Sequence, residues 1–280
     1  MRFYLGTHAL SHMERTSVPL FVSRRRLSAV VNKYPRAAGP WALDSGGFTE
    51  LQLYGAWRVT PREYVDEVRR YAGEVGGLEW AAPQDWMCEP PILEGGWWLR
   101  GERVPPGTQG AAWFAGTGLS VAEHQVRTVT NYLELRTFAP DLPWVPVLQG
   151  WSISDYRRCV DLYGEAGVDL RSLPRIGIGS VCRRQHSAEI AHIVSTLAAE
   201  GLRLHAFGLK LRGLTRCADA LTSCDSMAWS YDARRQPALP GCTGHKNCAN
   251  CLTFALQWRE RVVERVRGTN ANLFTAALAA

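Results

Sequence analysis

Short apolar runs that alternate with segments of helical periodicity limit the folds open to this chain more than any other feature. The apolar runs are FYLG, WALD, LEWAAPQ, WVPVLQG, RIGIG and LRLHAFGL, and a segment with helical spacing of apolar residues follows each of them. This alternation is typical of parallel strands joined by right-handed helical crossovers. Six or seven repeats favour an α/β fold, a (β/α)8 TIM-like barrel, over an open sheet. The eighth strand is not evident, and it is either degenerate or part of SCDSMAWSYD.

Helix start signals support this arrangement. Thr60 and Pro61 precede REYVDEV, Ser120 precedes VAEHQV, and Ser152 or Ser154 precedes DYRRCV. A hydroxyl side chain before the first turn caps free backbone N–H groups, and proline suits the first helical position. Each of the three segments is therefore predicted to begin a helix.

The length predicts one domain over residues 1–280, interrupted by one insertion. The segment 87–118 is rich in glycine, proline and tryptophan and breaks the alternation of strands and helices. Long insertions after barrel strands are usually functional, because loops at the carboxyl ends of the strands build the active site. We predict a lid or a nucleic-acid-facing loop. Its Trp97, Trp98 and Trp113 either stack on bases or pack the loop onto its own scaffold.

The composition is ordinary for a soluble globular protein, with 46% apolar and 21% charged residues. No apolar run approaches the length that crosses a bilayer. The first residues, MRFYLGTHALSHMERT, lack the basic-then-apolar pattern of a signal peptide, so we expect a cytoplasmic protein with no membrane partner. In that reducing compartment the eight cysteines are expected to be thiols or metal thiolates rather than disulfides.

The net charge of +6 and the isoelectric point near 9.0 are compatible with a polyanionic partner. The basic residues in or beside predicted loops form four groups: Arg24–Arg26, Arg183–Arg184, Lys210 with Arg212 and Arg216, and Arg234–Arg235. Arginine forks suit phosphate oxygens. Each group either contacts phosphates or is an ordinary solvated surface.

Polar residues directly follow the apolar runs. They are Asp44, Ser45 and Gly46 in DSGGF, Gln84 with Asp85, Gln149 with Gly150, Gly179 with Ser180, and Asp225 with Ser226. In a barrel these positions converge on one mouth, where they can surround a small ligand. A lone aspartate after a strand is commonly a cap or turn residue, but the repetition favours a site. His8 and His205, also near strand ends, are either site residues or structural histidines.

A cluster of potential metal ligands lies near the C-terminus. Cys242, His245, Cys248 and Cys251 are each separated from the next by two residues. A Cys3His set with this knuckle spacing fits tetrahedral Zn²⁺ better than it fits free thiols. Because four protein ligands leave no open position for a catalytic water, we predict a structural zinc in a small C-terminal subdomain, 241–252, followed by the final helix.

Four segments, in chain order, carry a family resemblance. DSGGF, VLQG, RIGIGSV and SCDSMAWS are similar to motifs of the tRNA-guanine transglycosylase superfamily, with Thr49 in place of the usual glutamine. The resemblance implies a barrel enzyme that exchanges guanine for a 7-deazaguanine in nucleic acid. It also implies that Asp225 is the nucleophile that holds the sugar covalently, and that Asp44 transfers protons to the departing base and from the incoming base.

The resemblance further implies a set of base-binding residues. Asp85, Gln149 and the backbone at Gly179 supply acceptors and donors for a guanine-like base, while Ser180 and Val181 border its 7-substituent. The residues expected to bind the base are Ser45, Gly46, Asp85, Gln149, Gly150, Gly179, Ser180 and His8.

The metal-ligand order favours one branch of this superfamily. The usual pattern is CxCxxC with a distant histidine, whereas this chain has CxxHxxCxxC and no C-terminal tail long enough for an RNA-binding domain. It therefore looks more like the deazapurine DNA-modification branch, with a 7-deazaguanine of the preQ0 type as the incoming base and a flipped guanine in DNA as the target. The possible protein partners are accessory proteins or a second copy of the chain in a homodimer. The alternatives are the same exchange in tRNA, and a non-catalytic barrel that only binds nucleic acid.

Overall fold

The structure is a computed structural model that describes residues 1–181, 187–209 and 211–277. Its strands are β1 (Arg2–Thr7), β2 (Leu20–Ser23), β3 (Trp41–Asp44), β4 (Leu78–Ala81), β5 (Gly96–Leu99), β6 (Glu102–Arg103), β7 (Ala112–Phe114), β8 (Val147–Leu148), β9 (Ile176–Ile178), β10 (Leu204–Ala206) and β11 (Leu221–Ser226). Its α-helices are α1 (His12–Arg15), α2 (Arg24–Leu27), α3 (Gly47–Tyr54), α4 (Pro61–Val75), α5 (Pro90–Glu94), α6 (Val121–Phe138), α7 (Ile153–Glu165), α8 (Ser187–Ala199), α9 (Leu211–Cys217), α10 (Ala228–Ala233) and α11 (Leu252–Ala277).

One large parallel sheet organises the described part of the chain. Its strand order is β4-β3-β2-β1-β11-β10-β9-β8. The sheet curls, and a parallel bridge between Ala81 and Trp144 joins β4 to the segment that leads into β8. Backbone bonds from Ala81 N–H to Pro143 O (3.0 Å) and from Val145 N–H to Ala81 O (3.1 Å) hold this contact. The eight strands and their helices form an α/β fold consistent with a TIM-like barrel.

The strand that the sequence analysis misses is β2. Its four residues, LFVS, run directly into α2, and so short a run carries too little periodicity to be separated from a neighbouring helix. The segment SCDSMAWSYD contains the end of another barrel strand, β11. Strands β1 and β11 pair in parallel, with Tyr4 opposite Asp225, which places the first and last strands of the described chain side by side in the sheet.

The predicted helix starts at Thr60, Ser120 and Ser152 are confirmed. Each hydroxyl accepts the backbone N–H of the residue three positions on, and an acidic side chain there returns a bond to the cap backbone. Such reciprocal bonds satisfy two otherwise free donors at each helix start. Ser152, rather than Ser154, is the cap of α7.

Side chains of alternate strand residues face opposite sides of the sheet, as the two-residue period of a strand requires. Phe3 and Leu5 of β1 join the large core between the sheet and its helices, whereas Tyr4 belongs to a separate cluster. This interior cluster consists of Tyr4, Phe21, Ala42, Trp80, Ala82 and Val145, with Phe207 packed against it. Aromatic rings therefore fill the barrel below its mouth.

The insertion is a structured unit made of α5 and a three-stranded antiparallel sheet of order β6-β5-β7. Trp98 is buried, and its indole N–H donates to Gly95 O (2.8 Å), so it packs the insertion and does not stack on bases. Trp113 is 45% exposed. Backbone contact with α3, from Ala115 N–H to Gln52 O (2.8 Å), fastens the insertion beside the DSGGF segment.

The C-terminal segment packs back onto the start of the chain. Trp258 of α11 lies against Phe3 of β1, and its indole N–H donates to Asp232 Oδ2 (2.9 Å). Among the helices of the described residues, none is long and apolar enough to cross a membrane. Arg183, Arg184 and Lys210, which belong to the basic groups that either contact phosphates or are solvated surface, lie outside the described residues.

Candidate functional site

A cavity of about 270 Å³ opens at the carboxyl ends of the parallel strands. This volume is at the small end of the usual range for small-molecule sites, roughly 300–1,000 Å³. The polar residues that line it are Thr7, Ser23, Asp44, Ser45, Thr49, Asp85, Glu89, Gln149, Ser180 and Asp225. Gly46 and Gly179 also line it. The tertiary structure thus brings together most of the predicted strand-end residues, whereas Gln84, Gly150 and Ser226 are not part of the cavity lining.

Asp44 is the last residue of β3 and begins the turn into α3. Its Oδ1 accepts the N–H of Gly46 (3.2 Å), and Gly46 adopts a left-handed conformation (φ 77°) that favours glycine. Burial raises the pKa of the Asp44 carboxyl, and the nearby negative charge of Asp225 raises it further, against hydrogen bonds from Gly46 and Ser23. The structure therefore provides a carboxyl group that retains its proton at higher pH than a solvated aspartate.

Asp85, which follows β4, is held at both oxygens. Ser45 Oγ donates to Oδ1 (3.2 Å) and Gln149 Nε2 donates to Oδ2 (2.6 Å). Burial, then the charge of Asp44, raises the pKa of Asp85 to about 7. Its protonation state is therefore poised near neutral pH.

Gln149 is fixed at both ends of its amide. Its Nε2 bonds Asp85, its Oε1 lies 2.7 Å from Ser180 Oγ, and its backbone oxygen accepts Gln125 Nε2 (2.7 Å). A Cβ at Gly179 would come within 2.2 Å of Gln149 Nε2, so glycine is required for the amide to lie against the end of β9. Ser180 itself has a positive φ of 55°.

Glu89 is a cavity residue that the sequence analysis did not single out. Its Oε2 lies 2.9 Å from Ser180 Oγ, which also accepts Cys88 N–H (2.8 Å). Glu89 is only 5% exposed, although it lies in the loop several residues after the end of β4. The only sequence feature that marks Glu89 is its position directly before the Pro90–Pro91 helix start. An acidic residue in that position by itself indicates a surface turn and not a cavity residue.

Asp225 lies near the end of β11 and is 6% exposed. Its Oδ1 accepts Gly208 N–H (2.8 Å) from the loop after β10. His205 of β10 is fully buried in the barrel interior, with Nε2 3.4 Å from the same oxygen. Among the contacts of the described residues, none reaches Asp225 Oδ2.

Two of the expected base-binding residues lie away from the cavity lining. His8 Nε2 lies 2.5 Å from Asn250 Oδ1, and its ring stacks on Trp229. Gly150 faces the start of α7, where a Cβ would meet Asp155 at 2.9 Å. The structure thus places His8 against the C-terminal cysteine-rich segment and Gly150 against a helix.

The predicted metal ligands meet in space. The ligand atoms of Cys242, His245, Cys248 and Cys251 all lie within 4.8 Å of one another. The sulfurs of Cys242 and Cys251 are 3.9 Å apart, close to the edge of about 3.8 Å of a tetrahedron with Zn–S bonds near 2.3 Å. Leu239 N–H points at the Cys248 sulfur (3.2 Å), as suits a thiolate. The four residues therefore fit a tetrahedral metal ion.

The fold and the cavity together define an α/β protein of the barrel-enzyme class, with several carboxyl groups on one small cavity at the carboxyl ends of the strands. The family model DpdA, DeoxyPurine in DNA protein A, matches residues 1–97 and 110–279. The chain belongs to this family, the DNA-guanine transglycosylases of the deazapurine DNA-modification branch. A search of the curated proteins found no match. The unmatched residues, 98–109, contain β6.

Proposed function

We propose that this protein exchanges a guanine in DNA for a 7-deazaguanine derivative of the preQ0 type, through a covalent bond between Asp225 and the sugar. The observation that carries the proposal is the presence of Asp44 and Asp225 on one small, largely buried cavity, contributed by strands β3 and β11. Family membership supports DNA as the polymer and base exchange as the reaction.

Asp225 acts as the nucleophile. Its Oδ2 attacks C1′ of the target nucleotide, the C1′–N9 bond breaks, and the bonding electron pair leaves with guanine. The backbone N–H of Gly208 holds Oδ1, so that the carboxylate keeps one orientation during the attack. The attack requires the target nucleotide to leave the base stack and occupy the cavity.

Asp44 acts as the acid and then the base. With its raised pKa it delivers a proton to the departing guanine, and the resulting carboxylate takes the N9 proton of the incoming 7-deazaguanine. The N9 of that base then attacks C1′ and displaces Asp225. Protons and electron pairs balance over the two half-reactions, so no external acid or base is consumed.

Asp85, Gln149 and Ser180 recognise the base. A guanine-like base presents an N1–H and an amino group to acceptors and a carbonyl to a donor, and these three side chains supply both kinds of group. The hydrogen bonds among them keep the polar groups oriented in the buried cavity before the base binds. The same site accepts guanine and deazaguanine because both share this hydrogen-bonding edge.

The Cys3His cluster binds a structural Zn²⁺ in this proposal. Three thiolates and one imidazole suit zinc, and the four side chains complete a tetrahedron. The ion supplies no catalytic water. The metal-binding loop instead stabilises the end of the first barrel strand through the segment that follows it. Asn250 contacts His8 through its side chain and His12 Nε2 through its backbone oxygen (3.2 Å).

Trapping the covalent intermediate tests the function. The full chain is incubated with a DNA duplex and preQ0 base, a DNA adduct is sought on denaturing gels, and the nucleosides are measured by mass spectrometry. We expect the adduct and the deazanucleoside with the native protein, and neither with Asp225→Asn. The matched control is Asp219→Asn, the same substitution at an exposed position just before the same strand.

Three outcomes contradict the proposal. An adduct that persists in Asp225→Asn excludes this residue as the nucleophile. A deazanucleoside that forms only when tRNA is supplied assigns the reaction to RNA. Binding of DNA with no exchange under any condition favours a barrel that only binds nucleic acid.

A further inference from the structure

The imidazole of His205 is enclosed in the aromatic interior of the barrel. Its ring centroid lies 4.7 Å from that of Trp80 and 4.9 Å from that of Phe207, with Phe21 and Tyr4 at 5.7 and 5.8 Å. The residue has no exposed surface. The four rings leave the imidazole one orientation, and burial lowers its pKa, so the ring is neutral.

The partners of His205 determine which ring nitrogen carries the hydrogen. Its Nδ1 lies 2.9 Å from Ser223 Oγ, and that hydroxyl accepts Arg175 Nε–H (3.3 Å). Ser223 is fully buried, and within the described residues Nδ1 is the acceptor for its hydroxyl hydrogen. Because Nδ1 accepts, the hydrogen of the neutral ring is on Nε2.

That hydrogen faces the proposed nucleophile. Nε2 lies 3.4 Å from Asp225 Oδ1 without a hydrogen bond between them, and it has no hydrogen-bond partner among the described residues. Oδ1 already accepts Gly208 N–H. The Gly208 N–H and the His205 ring nitrogen therefore both lie beside Oδ1, and the described residues offer no partner to Oδ2 of this cavity-lining carboxylate.

We propose that His205 is a positioning residue that, with Ser223 behind it, holds Asp225 Oδ1 and leaves Oδ2 as the attacking oxygen. This inference rests on the proposed function of Asp225. In the covalent intermediate Oδ1 becomes the ester carbonyl oxygen and accepts the hydrogens of Gly208 N–H and His205 Nε2. When the incoming base displaces Asp225, negative charge returns to Oδ1, and the two donors stabilise it.

Paired substitutions test the role of the donor. His205→Phe keeps a ring in the aromatic enclosure and removes the Nε2 hydrogen, whereas His205→Gln places an amide N–H near the same point. We expect His205→Phe to lower kcat for base exchange about 100-fold with little change in KM for DNA or base, as loss of an oriented donor does. His205→Gln should recover most of that loss. The inference is overturned if both variants keep the native kcat or if both lose it equally. Thermal unfolding verifies that each variant folds.

A spectroscopic measurement tests the geometry without any turnover. Nitrogen-15 NMR of the histidine ring should show the neutral form with hydrogen on Nε2 near pH 7 in the native protein. Asp225→Asn should shift the Nε2 resonance, and Ser223→Ala should shift the Nδ1 resonance. A ring with hydrogen on Nδ1, or a charged ring, overturns the inference. Absence of exchange in the native protein would instead contradict the proposed function, so the two failures are distinguishable.

Discussion

Asp85 shows how one buried carboxyl group links the cavity to pH. Its oxygens are held by Ser45 and Gln149, yet burial and the neighbouring Asp44 still raise its pKa to about 7. The folded state therefore retains a proton that the unfolded chain releases near its ordinary pKa, about 3.9. The stabilising effect of that proton is complete below pH 4 and is lost as the pH rises through 7.

The residue-scale prediction from this carboxyl is a change in the pH dependence of stability. Between pH 4 and 7 Asp85 should lower the free energy of unfolding by up to roughly 1.4 kcal/mol per pH unit. Asp85→Asn should remove this decline, as measured by urea unfolding at several pH values. The exposed Asp219→Asn variant should retain it. A slope unchanged in Asp85→Asn would show that this carboxyl ionises normally.

A second residue-scale prediction concerns Gly179. An added methyl group would overlap Gln149 Nε2, whose amide cannot move without breaking its bonds to Asp85 and Ser180. Gly179→Ala should raise KM for the incoming base at least tenfold and destabilise the fold by about 1–3 kcal/mol. Gly164→Ala, where a methyl group meets nothing, is the control. Unchanged KM in Gly179→Ala would exclude Gln149 from base binding.

At the element scale, the cysteine-rich loop between α10 and α11 connects to β1 as well as to its own helices. Asn250 lies between two metal ligands and contacts both His8 and His12, and the His8 ring stacks on Trp229 of α10. A metal ion that orders this loop should therefore also order the strand whose end borders the cavity.

Metal removal is the element-scale prediction. A chelator should lower the melting temperature and increase hydrogen exchange in β1 and the start of α11, and added Zn²⁺ should reverse both changes. Elemental analysis should give one zinc per chain. Asn250→Ala, which keeps all four ligands, should retain zinc but increase exchange in β1. If the rate of hydrogen exchange in β1 is unchanged after metal loss, the metal-binding loop does not stabilise this strand.

At the scale of the whole molecule, exposed arginines lie on the surface, and the Arg25 side chain packs beside Gly46 of the cavity lining. Arg25 and Arg26 are exposed after β2, and Arg234 and Arg235 are exposed after α10. Arg24 differs, because it is buried and paired with Glu67 in two hydrogen bonds (2.5 and 2.8 Å). Of the first arginine group, Arg25 and Arg26 are therefore the phosphate contacts expected for DNA.

The salt dependence of DNA binding tests this surface. Each lost phosphate contact should reduce the slope of log K against log salt by about one. Arg25→Gln and Arg26→Gln should each produce this change with all DNA sequences. Arg203→Gln, an exposed arginine just before β10 and so at the opposite end of the sheet, should leave the slope unchanged. Equal slopes in all three variants would place the DNA elsewhere.

Local patterns were enough to predict the alternation of parallel strands and helices, the helix starts at Thr60, Ser120 and Ser152, and the set of metal ligands. Those features are local, since strand periodicity, cap chemistry and knuckle spacing each act within a few residues. The family motifs also indicated the superfamily, and the order of the metal ligands indicated the branch that the family match confirms. The short β2 was missed because four residues carry too little periodicity.

Which side chains meet depends on the packing of distant segments. Glu89 joins the cavity and His8 turns toward the metal-binding loop because their partners, Ser180 and Asn250, lie 91 and 242 residues away. Trp98 is buried because it packs in a cluster with residues of other segments, among them Leu51 and Trp86. The orientation of Asp225 likewise depends on Gly208 and His205 from a neighbouring strand and its loop. Contacts between distant segments follow from strand order and sheet curvature, which no local pattern encodes.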